Sequence, residues 1–350
     1  MKILHITFSL LNAGKENMLV DIANEQFKSG NELGILVINN NVEQSIRGRI
    51  DNNVTLYELK RTRASKSIIP IVKLIIILRL KFKADIIHVH DPVIGRLVRL
   101  FCKTKIVLTI HNTNMEIRPM YGFSRIFAIS KAVKQDIESR SNLKCTVIYN
   151  GIKTQDIRVK ESINTPNNYQ IIHVKRLDYK AKGQDLLVRA FDILVNKHGR
   201  KNLKLHFVGE GSSKEYIQQM IIEFKLNDQI VLLGNKSREW VYENLRNYDL
   251  FVHPSRIEGF GLTVTEAMVA KVPVISSNVE GPAEILEYGK YGLMFENNSY
   301  EDLAFQIEHS IKMYEKGEMA ALTELAYSHC LANFNIVRTA KDYCVSYFED

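Results

Sequence analysis

Asp249-Leu-Phe-Val-His253-Pro-Ser-Arg-Ile-Glu258-Gly259-Phe260-Gly261-Leu262-Thr-Val-Thr-Glu266-Ala-Met-Val-Ala270 divides into three pieces. An apolar run predicts a strand near 249–253, two glycines mark a loop, and an apolar stretch of helical length predicts a helix near 262–270. A strand that feeds a helix through a glycine loop is the repeating unit of a parallel sheet covered by helices. The same grammar continues outward on both sides. Further strands are expected near 170–175, 203–208, 229–233, 272–276 and 292–295, with helices near 183–198, 213–225 and 237–246 and a helical pattern from Tyr300 to the end. Upstream, strands are expected near 3–8, 33–38, 54–58, 85–90, 105–110, 125–129 and 145–149. A helix that starts near Glu16 carries Leu19, Ile22, Ala23 and Phe27 on one face. Between the halves, Lys153 to Tyr169 is polar and contains Thr165-Pro166-Asn167-Asn168, which reads as a linker. The expectation is an α/β protein with two Rossmann-like domains, 1–160 and 166–333, facing each other across a cleft. Ligands of such sheets bind at the carboxyl ends of the strands, so the chemistry is expected in that cleft.

Composition supports a folded globular chain. Of its 350 residues 45% are apolar and 25% charged, ordinary values that argue against disorder, collagen and coiled coil. No apolar run reaches the length of a spanning helix; Ile68 to Leu80 is interrupted by Lys73 and Arg79. The first residues read as a strand rather than a signal peptide, so a cytoplasmic protein is expected. Cys102, Cys145, Cys330 and Cys344 are widely spaced, which suggests buried thiols and neither disulfides nor a zinc site.

The net charge of +8 is unevenly spread: residues 1–160 hold 26 Lys and Arg against 13 Asp and Glu, the remainder 21 against 26. Residues 60–83 contain Lys60, Arg61, Arg63, Lys66, Lys73, Arg79, Lys81 and Lys83, no acid, and many Ile and Leu. That mixture suits an anionic membrane surface. It also suits a helix buried by protein with a basic rim, because the apolar residues at 74–78 run nearly all round. Nucleic acid is a poorer partner, since no aromatic-rich RNA-binding motif or zinc-finger spacing is present.

The candidate chemistry lies in two segments. In the first, Glu258 and Glu266 are eight residues apart, and the backbone N–H groups of Phe260, Gly261 and Leu262 lie at the start of a helix. A helix N-terminus behind a glycine loop attracts anions, and carboxylates beside it suit sugar hydroxyls. In the second, His173-Val-Lys175-Arg176-Leu-Asp-Tyr-Lys180-Ala-Lys182-Gly183, the cations Arg176 and Lys182 bracket a loop at a strand's end, where a pyrophosphate needs neutralising. A solvated basic loop is the plain alternative. His88-Val-His90 puts two imidazoles on one side of a strand end; without a third ligand at recognisable spacing they read as structural or acceptor-site histidines. Gly209-Glu210-Gly211 lacks the third glycine of a dinucleotide fingerprint, and Walker A, H-E-x-x-H and G-x-S-x-G motifs are absent.

Taken together these segments resemble the retaining GT-B glycosyltransferases of family 4, whose hallmark is the Glu-x7-Glu element, over nearly the whole chain. Ala13-Gly14-Lys15-Glu16 is similar to the family's first glycine-rich loop, although Ala13 replaces a common glycine. Thr109-Ile-His111 is similar to its strand-end histidine, and Phe127-Ala-Ile-Ser130, Val147-Ile-Tyr-Asn150-Gly151-Ile, Val208-Gly209-Glu210-Gly211 and Leu233-Gly234 to its other strand ends. Lys175 stands where glycine commonly precedes the arginine, a change expected to be without consequence.

The resemblance implies that Glu266 binds ribose and that Glu258 binds the donor sugar. It puts Arg176 and Lys182 on the diphosphate, assisted by Gly259, Phe260, Gly261 and Leu262. Gly14, Gly209 and Glu210 complete the donor contacts, and His111 approaches the sugar from the opposite domain. It further implies no metal cofactor, a nucleotide-diphosphate sugar as donor, UDP in the first instance, and a lipid-linked or growing glycan as acceptor. The closing helix 334–350, with Phe334, Tyr343, Tyr347 and Phe348, is implied to pack back on the N-terminal domain. Two rivals share the fold: a sugar-nucleotide epimerase or hydrolase, and a non-catalytic nucleotide-sugar-binding subunit. The expected location is the cytoplasm, with the inner face of the cell membrane as the surface that 60–83 would meet.

Overall fold

The computed structural model describes residues 1–11, 13–62 and 67–349. It divides into two compact units, Met1–Lys153 with Phe334–Asp350, and Thr154–Asn333. The first unit contains β1 (Lys2–Thr7), β2 (Glu32–Asn39), β3 (Thr55–Arg61), β4 (Ile86–Val89), β5 (Lys105–Ile110), β6 (Arg125–Ala128) and β7 (Cys145–Val147). These form one parallel sheet in the order β3-β2-β1-β4-β5-β6-β7. The second unit contains β8 (Tyr169–Val174), β9 (Leu203–Val208), β10 (Ile230–Leu232), β11 (Leu250–His253), β12 (Val274–Ser277) and β13 (Leu293–Phe295). They too are parallel, in the order β10-β9-β8-β11-β12-β13. Each is a doubly wound Rossmann-like sheet. Its strand order reverses between β1 and β4 in the first unit and between β8 and β11 in the second, which is where such sheets bind ligands.

The apolar runs become strands because helices cover both faces, so side chains pointing either way are buried. Ile3, Leu4 and Ile6 of β1 are fully buried, as are Leu203, Leu205 and Phe207 of β9. The second unit's core joins Leu187, Phe191, Phe207, Ile217 and Ile307. Burying one such side chain is worth about 1.5–3 kcal/mol.

At the C-terminus the chain rejoins the first unit. The Ile152 and Ile336 amides bond the Phe334 and Ile152 carbonyls at 2.8 and 3.0 Å. A Cβ on Gly151 would lie 2.6 Å from the Asn335 backbone, so this crossing needs glycine. The Ile336–Ser346 helix then buries Tyr343 against the first sheet, and Tyr347 just beyond the helix is buried with it. Phe348 departs from the expectation: it is exposed, with the Lys105 ammonium over its ring.

The basic segment differs from a single helical stretch. Lys60 and Arg61 end β3, Arg63 and Lys66 lie outside the described residues, and a helix runs Ile69–Ile76 before a wider turn over Ile77–Lys81. Leu74, Ile77 and Leu78 are buried, while Ile68, Ile69, Val72, Ile76 and Leu80 face solvent beside exposed Lys73, Arg79, Lys81 and Lys83. The apolar residues therefore do not all turn inward. No helix among the described residues is long and apolar enough to cross a membrane. Cys145 and Cys330 are buried thiols; Cys102 and Cys344, against expectation, are only half-buried.

Candidate functional site

The second unit's switch point is assembled by close backbone contacts. The chain leaving β8 is pinned against the chain leaving β9: the Lys175 amide bonds the Val208 carbonyl and the Leu177 amide the Glu210 carbonyl, both at 3.0 Å. Gly209 (φ 141°) and Gly211 allow this approach, since a side chain at either would run into the carbonyls of Lys175 and Leu177. Gly183 (φ 68°) lies against the Pro254 carbonyl in the same way and starts the Gln184–Asp192 helix. Arg256 then clasps Asp185 with two nitrogens at 2.7 and 2.8 Å, a forked pair that ties the loop after β11 to that helix.

Glu258 sits at the centre of this frame. Its Oε2 accepts from Lys175 Nζ at 2.9 Å and Lys182 Nζ at 3.2 Å, and His253 Nε2 lies 3.6 Å away. Lys182 also donates to the Ile257 carbonyl at 3.3 Å. Burial alone would raise the Glu258 carboxyl, but Lys175, His253 and Lys182 outweigh it and hold the group well below the usual carboxylate range. Burial lowers the Lys182 ammonium, partly offset by Glu258. His253, fully buried, is pulled down to about 4, chiefly by burial. At neutral pH the cluster is therefore a carboxylate between two ammonium groups beside a neutral imidazole.

The Leu262–Val269 helix begins at Gly261, whose φ of 114° turns the chain into its first turn. Glu266 is its fifth residue and is buried; Phe260, just ahead of the helix, is buried too. Gly281 backs the loop, where a Cβ would crowd the backbone of Glu258 to Phe260. Arg176 lies differently from Lys182: it bonds Asp178 at 3.0 Å and is 71% exposed. Glu210 is exposed and paired with Lys214 at 2.8 Å. The structure thus brings Glu258 and Lys182 together and adds Lys175, whose place in the sequence was expected to be without consequence. Nothing in a lone Lys-Arg pair shows which cation turns inward; the absence of the common glycine was the available signal.

In the first unit Gly14 opens the Gly14–Lys28 helix, and His111 follows β5. His111 Nε2 is 3.2 Å from His90 Nδ1, and His90 Nε2 is 3.2 Å from His5 Nδ1. Burial, and then the Lys15 cation, lower His111 to about 3. His88 on β4 and His90 just after it lie on one side of the strand end, as the spacing predicts, with their rings stacked 4.5 Å apart.

Comparison with known proteins agrees with this architecture. Residues 13–156 match the profile described as Glycosyltransferase Family 4, and residues 154–324 that described as Glycosyl transferases group 1. An uncharacterized glycosyltransferase of Methanocaldococcus jannaschii is 26% identical over 260 residues, 65% of this chain and 66% of its own. The poly(ribitol-phosphate) alpha-N-acetylglucosaminyltransferase of Staphylococcus aureus is 27% identical over 223 residues, 56% of this chain and 44% of its own. These matches span less than two thirds of either relative. Among solved structures, Anabaena HepE in complex with UDP-glucose superposes with a TM-score of 0.84 at 19% identity, covering 99% of both chains, a likeness of fold. With both halves matched in chain order on a pair of doubly wound sheets, the chain belongs to the group 1 glycosyltransferases of the GT-B fold.

Proposed function

We propose that the protein is a retaining glycosyltransferase that moves a hexose or N-acetylhexosamine from a UDP-sugar to a lipid-linked or growing glycan. The observation that carries this is Glu258 held between Lys175 and Lys182 at the joined ends of β8 and β11, just ahead of the Leu262–Val269 helix. A donor diphosphate there meets Lys182, Arg176 and the first-turn N–H groups of that helix, while Glu258 and Glu266 take sugar and ribose hydroxyls. In the transfer, the bond from the sugar's anomeric carbon to the diphosphate oxygen breaks as the acceptor oxygen bonds that carbon on the same face. The acceptor's proton passes to the departing phosphate oxygen. Fixed cations and N–H groups stabilise the charge that builds on the leaving group, so the reaction is expected to run without a divalent metal. His111 serves as a substrate contact on the first unit. The bound UDP-glucose of HepE favours UDP, and the polymer acceptor named for the S. aureus relative favours a glycan-assembly substrate.

The solvent face of 68–83 supports an anionic membrane as the surface where the acceptor is met: Ile68, Ile69, Val72, Ile76 and Leu80 would enter the interface while Lys73, Arg79, Lys81 and Lys83 meet headgroups. Flotation with phosphatidylglycerol vesicles is expected to carry the protein upward at low salt, and phosphatidylcholine vesicles are not. Equal flotation with both, or none, contradicts this surface.

UDP-, GDP- and ADP-sugars, offered with and without a lipid-linked acceptor extract, test the activity by thermal stabilisation and nucleotide release. Release that needs acceptor supports transfer. Release without acceptor favours the hydrolase, UDP-sugar consumed without acceptor and without release favours the epimerase, and stabilisation with neither consumption nor release favours a binding subunit.

A further inference from the structure

The first unit holds a buried polar network at its own switch point, of which the proposed function uses only His111. His5 on β1, His88 on β4, His90 just after β4 and His111 just after β5 lie side by side, His5 in register with His88. Their nitrogens are bonded in two arms that meet at Gln26 on the Gly14–Lys28 helix. In one arm Gln26 Oε1 lies 2.8 Å from His5 Nε2, followed by the 3.2 Å steps from His5 to His90 and from His90 to His111. In the other, Gln26 Nε2 donates to the Tyr347 hydroxyl at 3.1 Å, and Tyr347 bonds His88 Nδ1 at 2.8 Å. His88 Nε2 bonds Thr109 Oγ1 at 2.7 Å, and Thr109 donates to Tyr343 at 3.1 Å. Nitrogens of His5, His88 and His90 lie within 4.8 Å of one another, a spacing that could hold a cation. All six of these ring nitrogens already have hydrogen-bond partners, so a cation would have to break bonds to enter.

A neutral imidazole carries one N–H and one lone pair, so a chain of them has a single direction. With the Gln26 N–H spent on Tyr347, its carbonyl oxygen accepts from His5 Nε2–H. His5 Nδ1 must then accept from His90 Nε2–H, and His90 Nδ1 from His111 Nε2–H. His111 is left with a lone pair on Nδ1, to which no described residue bonds. Burial keeps the chain neutral, holding His5 near 4 and His90 well below its ordinary value. The Lys15 cation, near enough to weigh on both His90 and His111, is better placed beside a lone pair than beside an N–H.

We propose that Gln26, His5 and His90 are positioning residues that fix the tautomer of His111, so that its Nδ1 accepts a hydrogen bond from a substrate hydroxyl. The substrate half of this inference rests on the reading of His111 given above; the tautomer half stands on the free protein. Nitrogen-15 NMR of the histidine-labelled chain, with the His111 signals assigned from His111→Gln, reads both. In the free wild type, His111 is expected to carry its proton on Nε2. Gln26→Glu, which keeps an acceptor for His5, should preserve that tautomer, whereas Gln26→Met should mix the two forms and lower kcat/KM by the fraction left with the proton on Nδ1, about twofold for an equal mixture. A proton on Nδ1 in the wild type overturns the relay, and so does an unchanged tautomer in folded Gln26→Met. A mixed tautomer with unchanged kcat/KM leaves the relay standing and overturns the substrate role of His111. The wild-type spectrum decides the polarity even if Gln26→Met does not fold.

Discussion

Glu258 is the residue on which the site turns, because it is a nearly buried carboxylate with two ammonium partners. Either lysine alone leaves it paired, and removing both strands a buried charge. We therefore expect Lys175→Met and Lys182→Met to be mildly destabilising singly, and the double variant to exceed their sum by about 1 kcal/mol or more in urea unfolding. Strict additivity would show that the two ammonium groups do not share the carboxylate. Lys182→Met should also cost about 100-fold or more in kcat, as expected when a fixed charge facing the leaving group is removed. The residue scale is also where sequence reading reached least far. Glu258 and Lys182 were legible from their places in a glycine loop and a strand-end loop. The inward turn of Lys175 was not, because its partner is 83 positions away and only the β8–β11 pairing brings them together. Arg176, equal to Lys182 in one dimension, is held outward by Asp178 two residues on.

Among the elements, the strands were the most legible. Parallel strands buried on both faces leave unbroken β-branched runs, and β5 and β9 fall on the expected residues while most others differ by one or two at an end. The stretch 60–83 was less legible, since a strand end and a helix with apolar residues facing solvent share one composition. Loop geometry depends on glycines whose need shows only in three dimensions. Gly209→Ala should drive a methyl into the Lys175 carbonyl at a φ that L residues rarely adopt, which predicts a loss of roughly 1–3 kcal/mol and weaker donor binding. Wild-type stability and binding in that variant would mean that the β8 and β9 loops are not pinned together. In the first unit, Gly151→Ala should loosen the Ile336–Ser346 helix, seen as faster amide hydrogen exchange there than in the Gly14–Lys28 helix. Equal exchange in wild type and variant would contradict the close crossing at Asn335.

At the scale of the whole molecule, both sheets bury neutral histidines at their switch points. The unfolded chain takes up protons on them near pH 6.5, but His5 and His253 do so only near pH 4 when folded, and His111 and His173 near pH 3. In that interval the unfolded state binds more protons, so stability should fall as the pH drops below about 6.5, each histidine contributing up to about 1.4 kcal/mol per pH unit. Glu258 adds to the loss lower down, because its stabilisation is complete above the ordinary carboxyl range and disappears as it is protonated. Melting from pH 8 to 4 should show a plateau and then a decline beginning near 6.5; a flat profile would mean that these imidazoles are not held neutral.

The proposed role of the Glu258 cluster in transfer to an acceptor is decided by following nucleotide release from a UDP-sugar with lipid-linked acceptor present and absent, in wild type and Glu258→Gln. Acceptor-dependent release is expected from the wild type, and the folded variant should still bind UDP but release it at least about 100-fold more slowly. Equal release by both, or release indifferent to acceptor, would contradict that role.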